Sequence, residues 1–263
     1  MASIKVCQTS DTHLGITPPK ALAKMFRKMK EGDASGKEPF DVFLHNGDYC
    51  GGTNGARSVA TTVKMFRELF PDKPFITNIG NHDYWYIARR PKGSVHKNPS
   101  ASDFYNNLEK IGEVFTANNV HFLDEDGPFR FNGFTFVGHS GWYAATNPAT
   151  NDAKYLPHGL SGHTHANLQK TAMNGLERNL SLLNETDINV AFSSHFPVIG
   201  EADDIGLQKY GGLLSIGDHM QAAYNCRFFF CGHAHQYHDG PLRYECGPDY
   251  GKPAYKIWTL EGK

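Results

Sequence analysis

Five short motifs hold the donor atoms that a metal ion would select: Asp11-Thr12-His13, Gly47-Asp48, Gly80-Asn81-His82-Asp83, Ser194-His195-Phe196-Pro197 and Gly232-His233-Ala234-His235. Singly, each has an ordinary explanation, because a strand-end Asp or Asn more often caps a turn or helix than binds a ligand. Together they offer oxygen or nitrogen donors from Asp11, His13, Asp48, Asn81, His195, His233 and His235, and no sulfur. Carboxylate, carboxamide and imidazole in that mixture suit hard to borderline divalent cations. The 14 histidines are the one compositional oddity of the chain, and histidine is the commonest protein ligand of transition metals.

These residues can act together only if the fold brings them together. Apolar, β-branched-rich runs at 4–9, 42–45, 75–78, 189–193 and 227–231 read as strands. Between them, helical periodicity covers 18–30 (closed by Gly32), 56–70 and 102–116, the last with Phe104, Leu108, Ile111 and Phe115 on one face. The alternation predicts an α/β fold. Each motif falls just past the C-terminal end of a predicted strand, where open α/β sheets place their ligand crevice. Runs at 129–131 and 134–137 around Asn132-Gly133 predict a tight hairpin and hence mixed sheets, and 254–260 reads as a last strand. The segment at about 140–170, rich in Asn, Pro, Gly, Thr and His, is too long for a passive connector and is expected to be a rim or lid.

The ordered series D-x-H, G-D, G-N-H-D, H and G-H-x-H, running from Asp11 to His235, resembles the calcineurin-like metallophosphoesterases. The resemblance implies a four-layer αββα sandwich with two mixed β-sheets and two metals at the strand ends. By the same resemblance Asp11, His13 and His235 hold one metal, Asn81, His195 and His233 the other, and Asp48 bridges them. His82 lies over the substrate, stabilising charge on the phosphate or protonating the leaving oxygen, with Asp83 orienting it. Two divalent ions outweigh the negative charges of Asp11, Asp48 and a bridging hydroxide, so the centre attracts an anionic phosphate. Metals about 3.5 to 4 Å apart lower the pKa of water to about 7 and let hydroxide attack phosphorus in line. The expected cofactors are two divalent transition-metal ions, with Mn²⁺ the working assignment and Fe, Zn²⁺ or Ni²⁺ also compatible.

A second GHxH, Gly162-His163-Thr164-His165, lies outside the expected metal set: it does not follow an evident strand, and the resembled series places GHxH after the lone His. His163 and His165 are either solvated loop residues or substrate contacts from the rim. His139 ends a strand and is either a hydrogen-bonded structural histidine or a residue of the cleft. The segment 84–102 contains Tyr84, Trp85, Tyr86, Arg89, Arg90, Lys92 and Lys97 and no acidic residue before Asp103. Its cations suit phosphates and its aromatics suit bases, so a nucleotide or single-stranded nucleic acid fits it as well as a plain solvated loop does.

The expected activity is that of a phosphodiesterase or phosphatase on a nucleotide-like ester. One alternative is a DNA nuclease, because Ser10-Asp11-Thr12-His13-Leu14-Gly15 is similar to the opening motif of double-strand-break-repair nucleases; another is a non-catalytic protein-binding scaffold on the same fold. The 263 residues are expected to form a single domain. A net charge of −1 and a pI near 6.9 argue against broad charge-driven coating of nucleic acid or membranes. The chain shows no apolar run of membrane-spanning length, and its five cysteines form no CxxC pair. A cytoplasmic protein with no membrane partner is the expectation.

Overall fold

The computed structural model describes residues 2–51, 55–84, 101–141, 165–199, 214–239 and 242–263, apart from the side chains of 84, 101–104, 165–169 and 214. Two mixed sheets lie between helices. The first has the order β11(Lys256–Glu261)-β1(Ser3–Thr9)-β2(Val42–Asn46)-β3(Phe75–Asn78)-β4(His121–Phe122), parallel from β1 to β4 with β11 antiparallel at the edge. The second has the order β5(Phe129–Phe131)-β6(Phe134–Gly138)-β7(Val190–Ser193)-β8(Phe228–Cys231)-β10(Arg243–Cys246)-β9(Tyr237–Asp239). It is parallel from β6 through β7 and β8 to β10, with antiparallel β5 and β9 at its edges.

The strands are apolar almost throughout because both faces are covered, and the two-residue period sorts their side chains between layers. Ile4, Val6, Val42, Leu44 and Ile76 of the first sheet meet Phe134, Phe136, Ala191, Phe228 and Phe230 of the second. The alternate residues Cys7, Phe43 and Phe75 face helices α1(Pro19–Ala34), α2(Gly55–Leu69) and α4(Ala101–Ala117). One-turn helices α3(Asn81–Tyr84) and α5(Leu123–Asp126) follow β3 and β4. Val137, Val190, Phe192 and Phe229 face α6(His165–Leu180) and α7(Leu214–Tyr224). The layers are therefore αββα, as the resemblance implied. Helix α1 shows why its residues coil: Pro19 sits in the first turn, where a missing N–H costs nothing. Its buried Leu22, Met25, Phe26 and Met29 recur at helical spacing on one face.

Several elements depart from the expectations. Residues 165–170 are the first turns of α6 rather than the end of a rim loop. Their polar character hid a period that becomes apolar only at Ala172, Leu176 and Leu180, which pack on the second sheet. The bulk of the expected rim, 142–164, lies outside the described residues. Helix α7 and the short strands β4, β9 and β10 were not anticipated; two- to four-residue strands give too few positions for a period to show. Among the described residues no helix is long and apolar enough to cross a membrane.

A polar chain crosses the otherwise apolar space between the sheets just below the strand ends. Trp258 Nε1–H donates to Gln8 Oε1 at 2.8 Å, and Gln8 Nε2 donates to Asn46 Oδ1 at 2.8 Å and to the Cys231 carbonyl at 3.0 Å. Asn46 Nδ2 then donates to Ser193 Oγ at 2.9 Å, Ser193 to Asn78 Oδ1, and Asn78 Nδ2 to Asp124 Oδ2 at 3.1 Å. Buried polar groups that satisfy one another in this way fix relative position, which apolar contact alone does not.

The helical side of the first sheet is organised by Phe66. Its ring stacks on Phe43 at 4.1 Å and meets Phe26, Phe70 and Phe75 at 5.8, 4.9 and 5.0 Å. Phe66→Ala is expected to cost about 3–5 kcal/mol, while Tyr105→Ala on half-exposed α4 surface costs about 0.5 kcal/mol or less. Urea denaturation of the two variants checks this, and equal midpoints would refute the assignment of Phe66 as a packing hub.

Candidate metal centre

The C-terminal ends of the strands deliver the donors in register. Asp11, Asp48, His195 and His233 each stand two residues beyond the end of β1, β2, β7 and β8, and Asn81 three beyond β3, opening α3. Five of these motif residues have left-handed backbones: Asp11 (φ 50°), His13 (42°), Asp48 (57°), His233 (69°) and His235 (53°). Such conformations cost side-chain-bearing residues on the order of 1 kcal/mol or more each and concentrate where the surrounding structure requires them. The turns also demand close approach. A Cβ on Gly80 would stand 2.1 Å from Asp48 Oδ1, so only glycine lets the β3 loop pass the Asp48 carboxylate.

Backbone bonds join these loops to one another. The N–H groups of Asp11 and His13 donate to the carbonyls of Gly47 and Asp48 at 2.9 Å each. Across the sheets, His233 N–H donates to the Asp11 carboxylate at 3.1 Å; within the first sheet, His82 N–H donates to Asp48 Oδ1 at 2.9 Å. Each aspartate thus holds the loop that carries its neighbours.

Among the described residues three groups of donors converge, with donor atoms within 4.8 Å of one another: Asp11, His13 and His235; Asp48, His195 and His233; and His13, Asp48 and His82. In the first, His13 Nε2 lies 3.3 Å from His235 Nε2 and 3.8 Å from Asp11 Oδ1. In the second, His195 Nε2 lies 3.1 Å from His233 Nδ1, 3.5 Å from Asp48 Oδ1 and 2.9 Å from Asn81 Oδ1. Neighbouring donors around an ion with bonds of about 2.0–2.1 Å are separated by about 3.0–3.4 Å; the His13–His235 and His195–His233 pairs have that separation and the carboxylates stand a few tenths of an ångström further off.

The second nitrogen of three of these imidazoles fixes which atom faces the cluster. His13 Nδ1–H donates to the Cys50 carbonyl at 3.1 Å, His195 Nδ1–H to the Asn46 carbonyl at 2.7 Å and His235 Nδ1–H to the Pro248 carbonyl at 2.7 Å. Their Nε2 atoms are left for the centre, the arrangement by which proteins orient metal-binding histidines. Lone pairs brought this close repel unless a proton or a cation lies between them. The residues therefore fit divalent cations.

Burial and mutual charge shift the titration of these groups. Burial opposes ionisation of Asp48, but His195 and then His82 hold its carboxyl well below the usual range. His195 is raised to about 10: burial works against the charge, and Asp48, by field and hydrogen bond, and Asp11 prevail. Burial pushes His233 down to about 3 and His82 down to about 4. Burial and then Asp48 push Asp83 up to about 7 against three backbone N–H donors.

Those donors show what Asp83 does locally. Its oxygens accept from Tyr49 N–H at 3.2 Å, Cys50 N–H at 2.9 Å and Gly80 N–H at 2.9 Å, clamping the segment after Asp48 to the turn before Asn81. His82 stands at the mouth, edge-on to His13 at 4.6 Å, with Nε2 3.9 Å from Asp48 Oδ2. His139 is buried away from the clusters: its Nδ1 accepts Gly141 N–H at 3.2 Å and lies 3.6 Å from Asp124 Oδ1. Tyr84 closes α3 and His165 opens α6 with their side chains not described, while Trp85, Arg89, Arg90 and His163 lie outside the described residues.

Sequence reasoning passed over two contributors. Tyr250, half-exposed, places its ring 4.7 Å from His13 and 4.5 Å from His235. The only signal was an aromatic inside the turn-rich Gly247-Pro248-Asp249-Tyr250-Gly251. His45, held neutral by burial at about 3, accepts Gly47 N–H at 3.1 Å and stacks on Tyr49 at 3.7 Å, supporting the turn before Asp48.

Comparison with known proteins places this geometry. Among solved structures, TT1561 of Thermus thermophilus shares the fold with a TM-score of 0.53 and 14% identity, over 88% of this chain and 82% of that one. A candidate 5′-nucleotidase from Staphylococcus aureus, solved with alpha-ketoglutarate, has a TM-score of 0.54 and 14% identity over 94% of this chain, which spans only 49% of that protein. GAP50, the anchor in the inner membrane complex of Plasmodium, has a TM-score of 0.54 and 10% identity, over 99% of this chain and 82% of that one. No curated protein matches the sequence. The calcineurin-like phosphoesterase family model matches residues 4–237, a span that contains every donor described above, and the chain therefore belongs to the calcineurin-like phosphoesterase family, whose members are metal-dependent phosphoesterases.

Proposed function

We propose that this protein hydrolyses phosphate esters at a dinuclear metal centre and that its substrate is a nucleotide-like diester. The observation that carries the reading is the position of Asp48 between two donor groups: Oδ2 lies 3.7 Å from His13 Nε2, and Oδ1 lies 3.5 Å from His195 Nε2. One carboxylate presenting one oxygen to each side is what a shared ligand requires. Asp11, His13 and His235 would hold one cation and Asn81, His195 and His233 the other. Bound there, two divalent cations would supply a water of lowered pKa and charge stabilisation for the ester oxygens.

The remaining steps belong to the chain itself. Asp11, His13, Asp48, Asn81 and His195 are buried and form the floor, while His82, His233 and His235 are partly exposed and face the entrance. A neutral His82 at that entrance donates an N–H to a phosphate or leaving-group oxygen, and its depressed pKa favours that role over delivery of a full proton at neutral pH. Asp83 acts through the backbone it clamps, keeping Asp48 and Asn81 in place. The basic and aromatic residues of 84–102 suit a base and a phosphate of the substrate. A scaffold role has less support, because the complete donor set and His82 are retained.

Asp48→Asn is expected to remove both metals together, seen as a fall in the metal-to-protein ratio from about two toward zero in elemental analysis. His82→Ala keeps the ratio and lowers kcat on bis-p-nitrophenyl phosphate by roughly 10²-fold or more. Equal metal loss in the two variants, or full activity without His82, would sink the assigned roles.

Metal uptake should also release protons. With a pKa of about 10, metal-free His195 is protonated at pH 7, its Nε2–H directed at Asn81 Oδ1, and that proton must leave before the nitrogen can ligate. Affinity therefore rises with pH up to about 10 and falls on acidification. Calorimetry in buffers of different ionisation enthalpy is expected to find at least about one proton released per protein at pH 7, one from His195 and a further fraction from the metal-held water; uptake without release would contradict His195 as a ligand.

A further inference from the structure

Next to the metal centre lies an open cleft of about 560 Å³ between α1 and the segment 251–255, with Lys24, Arg27, Lys28, Glu31, Lys252 and Tyr255 among its lining. Its wall continues from the centre. Tyr250, whose ring packs on His13 and His235, directly precedes Gly251 of the cleft, and consecutive Cα atoms are about 3.8 Å apart. Gly251 N–H donates to Thr17 Oγ1 at 3.2 Å, tying that wall to the loop that leads from Asp11 and His13 into α1. The Tyr250-Gly251 segment, through its contacts with His13 and His235 and its bond to Thr17, thus joins one wall of the cleft to the loops of the centre.

Cations outnumber carboxylates at the cleft, where Lys24, Arg27, Lys28 and Lys252 face Glu31 and the Glu38 carboxylate that accepts from Tyr255 Oη–H at 2.6 Å. Lys252 reaches Asp249 at 3.4 Å, and Lys28 Nζ lies 5.8 Å from the centre of the Tyr255 ring. Among the described residues Lys24, Arg27 and Lys28 form no ion pair, although Glu31 is one turn from Arg27. Lys20, Lys24 and Lys28 follow one another at i, i+4 spacing, which is mutually repulsive. The first turn of α1 carries no acidic residue, so this cationic stripe begins at the positive end of the helix dipole. A bound anion relieves both repulsions.

The geometry points to this cleft as a second phosphate subsite, holding a further phosphate of the molecule whose scissile ester lies at the metal centre, an inference that rests on the phosphoesterase reading above. The substrate class is then an ester with two or more phosphate groups. Lys and Arg recognise phosphate through charge-assisted hydrogen bonds, and the spare phosphate comes either from a compact polyphosphate tail or from the next linkage of a nucleic-acid strand.

Binding of a fluorescent, hydrolysis-resistant phosphorothioate hexathymidylate to the Mn²⁺-loaded 263-residue chain tests this without turnover, with inorganic tripolyphosphate as competitor and Mn²⁺ in excess over it. Lys24→Glu/Lys28→Glu is expected to weaken binding by at least about tenfold, and Lys24→Gln/Lys28→Gln by less. Lys64→Glu/Lys110→Glu alters net charge equally on α2 and α4 and is expected to change binding less than about threefold. Displacement by micromolar tripolyphosphate identifies a compact tail, and its failure identifies a strand; both support the subsite. No binding by the unaltered chain, or equal loss in the two Glu variants, overturns it. Bis-p-nitrophenyl phosphate carries one phosphate, so loss of its hydrolysis with cleft binding intact would refute the phosphoesterase reading alone.

Discussion

Everything else in this fold answers to one electrostatic constraint: Asp11 and Asp48 must remain ionised while buried, facing the lone pairs of His13, His195, His233 and His235. Taking carboxylates out of water costs several kcal/mol per charge unless opposite charge and hydrogen bonds compensate. Without metal the compensation is internal, with His195 drawn into the cationic form beside Asp48 and with His233 and His82 N–H groups on the carboxylates. Divalent cations held by these carboxylates and imidazoles would supply the same compensation, with the backbone N–H bonds kept. The chain itself thus builds this donor arrangement, at a cost in backbone strain and buried charge.

Holding such a site requires that the two sheets not slide. Asp11, Asp48 and Asn81 come from the first sheet and His195 and His233 from the second, so a displacement of one ångström between layers would disrupt both donor groups. The apolar inter-sheet contacts of Val6, Leu44, Phe136 and Phe230 are non-directional. Direction comes from the chain of side-chain amides and a hydroxyl through Gln8, Asn46, Ser193 and Asn78, which crosses between the layers immediately beneath the centre. Asn46 serves twice, since its carbonyl also orients His195. The polar belt and the metal centre are thus consecutive layers of one construction.

Much of this was legible in the sequence because parallel strands buried on both faces are written as unbroken apolar runs, and 42–45, 75–78 and 227–231 stand out at once. The donors were legible because they follow those runs at nearly constant distance. What stayed hidden depends on geometry that spacing does not encode. Asp83 reads as a companion of His82 by adjacency, yet its oxygens are engaged by the amides of Tyr49, Cys50 and Gly80. Gln8, Asn46 and Ser193 look like polar interruptions at strand ends and acquire meaning only when the sheets face each other. Tyr250 is far from every motif, and nothing in a turn-rich segment announces that its ring will lie against His13 and His235.

The division between floor and entrance explains how a strained site can still turn over. The residues fully withdrawn from solvent are those that must not move, and they are bound to backbone carbonyls, to amides or to each other. Those at the entrance, His82, His235 and Tyr250, retain exposure and meet whatever enters. Tyr250 screens one side of the His13 and His235 imidazoles, so approach there is limited to what can pass its ring, and the cationic stripe of α1 begins just beyond. A centre holding two divalent cations would attract any phosphate. Choice among phosphates must then come from this outer ring, where the chain has placed its aromatic surface and its cations rather than further metal donors.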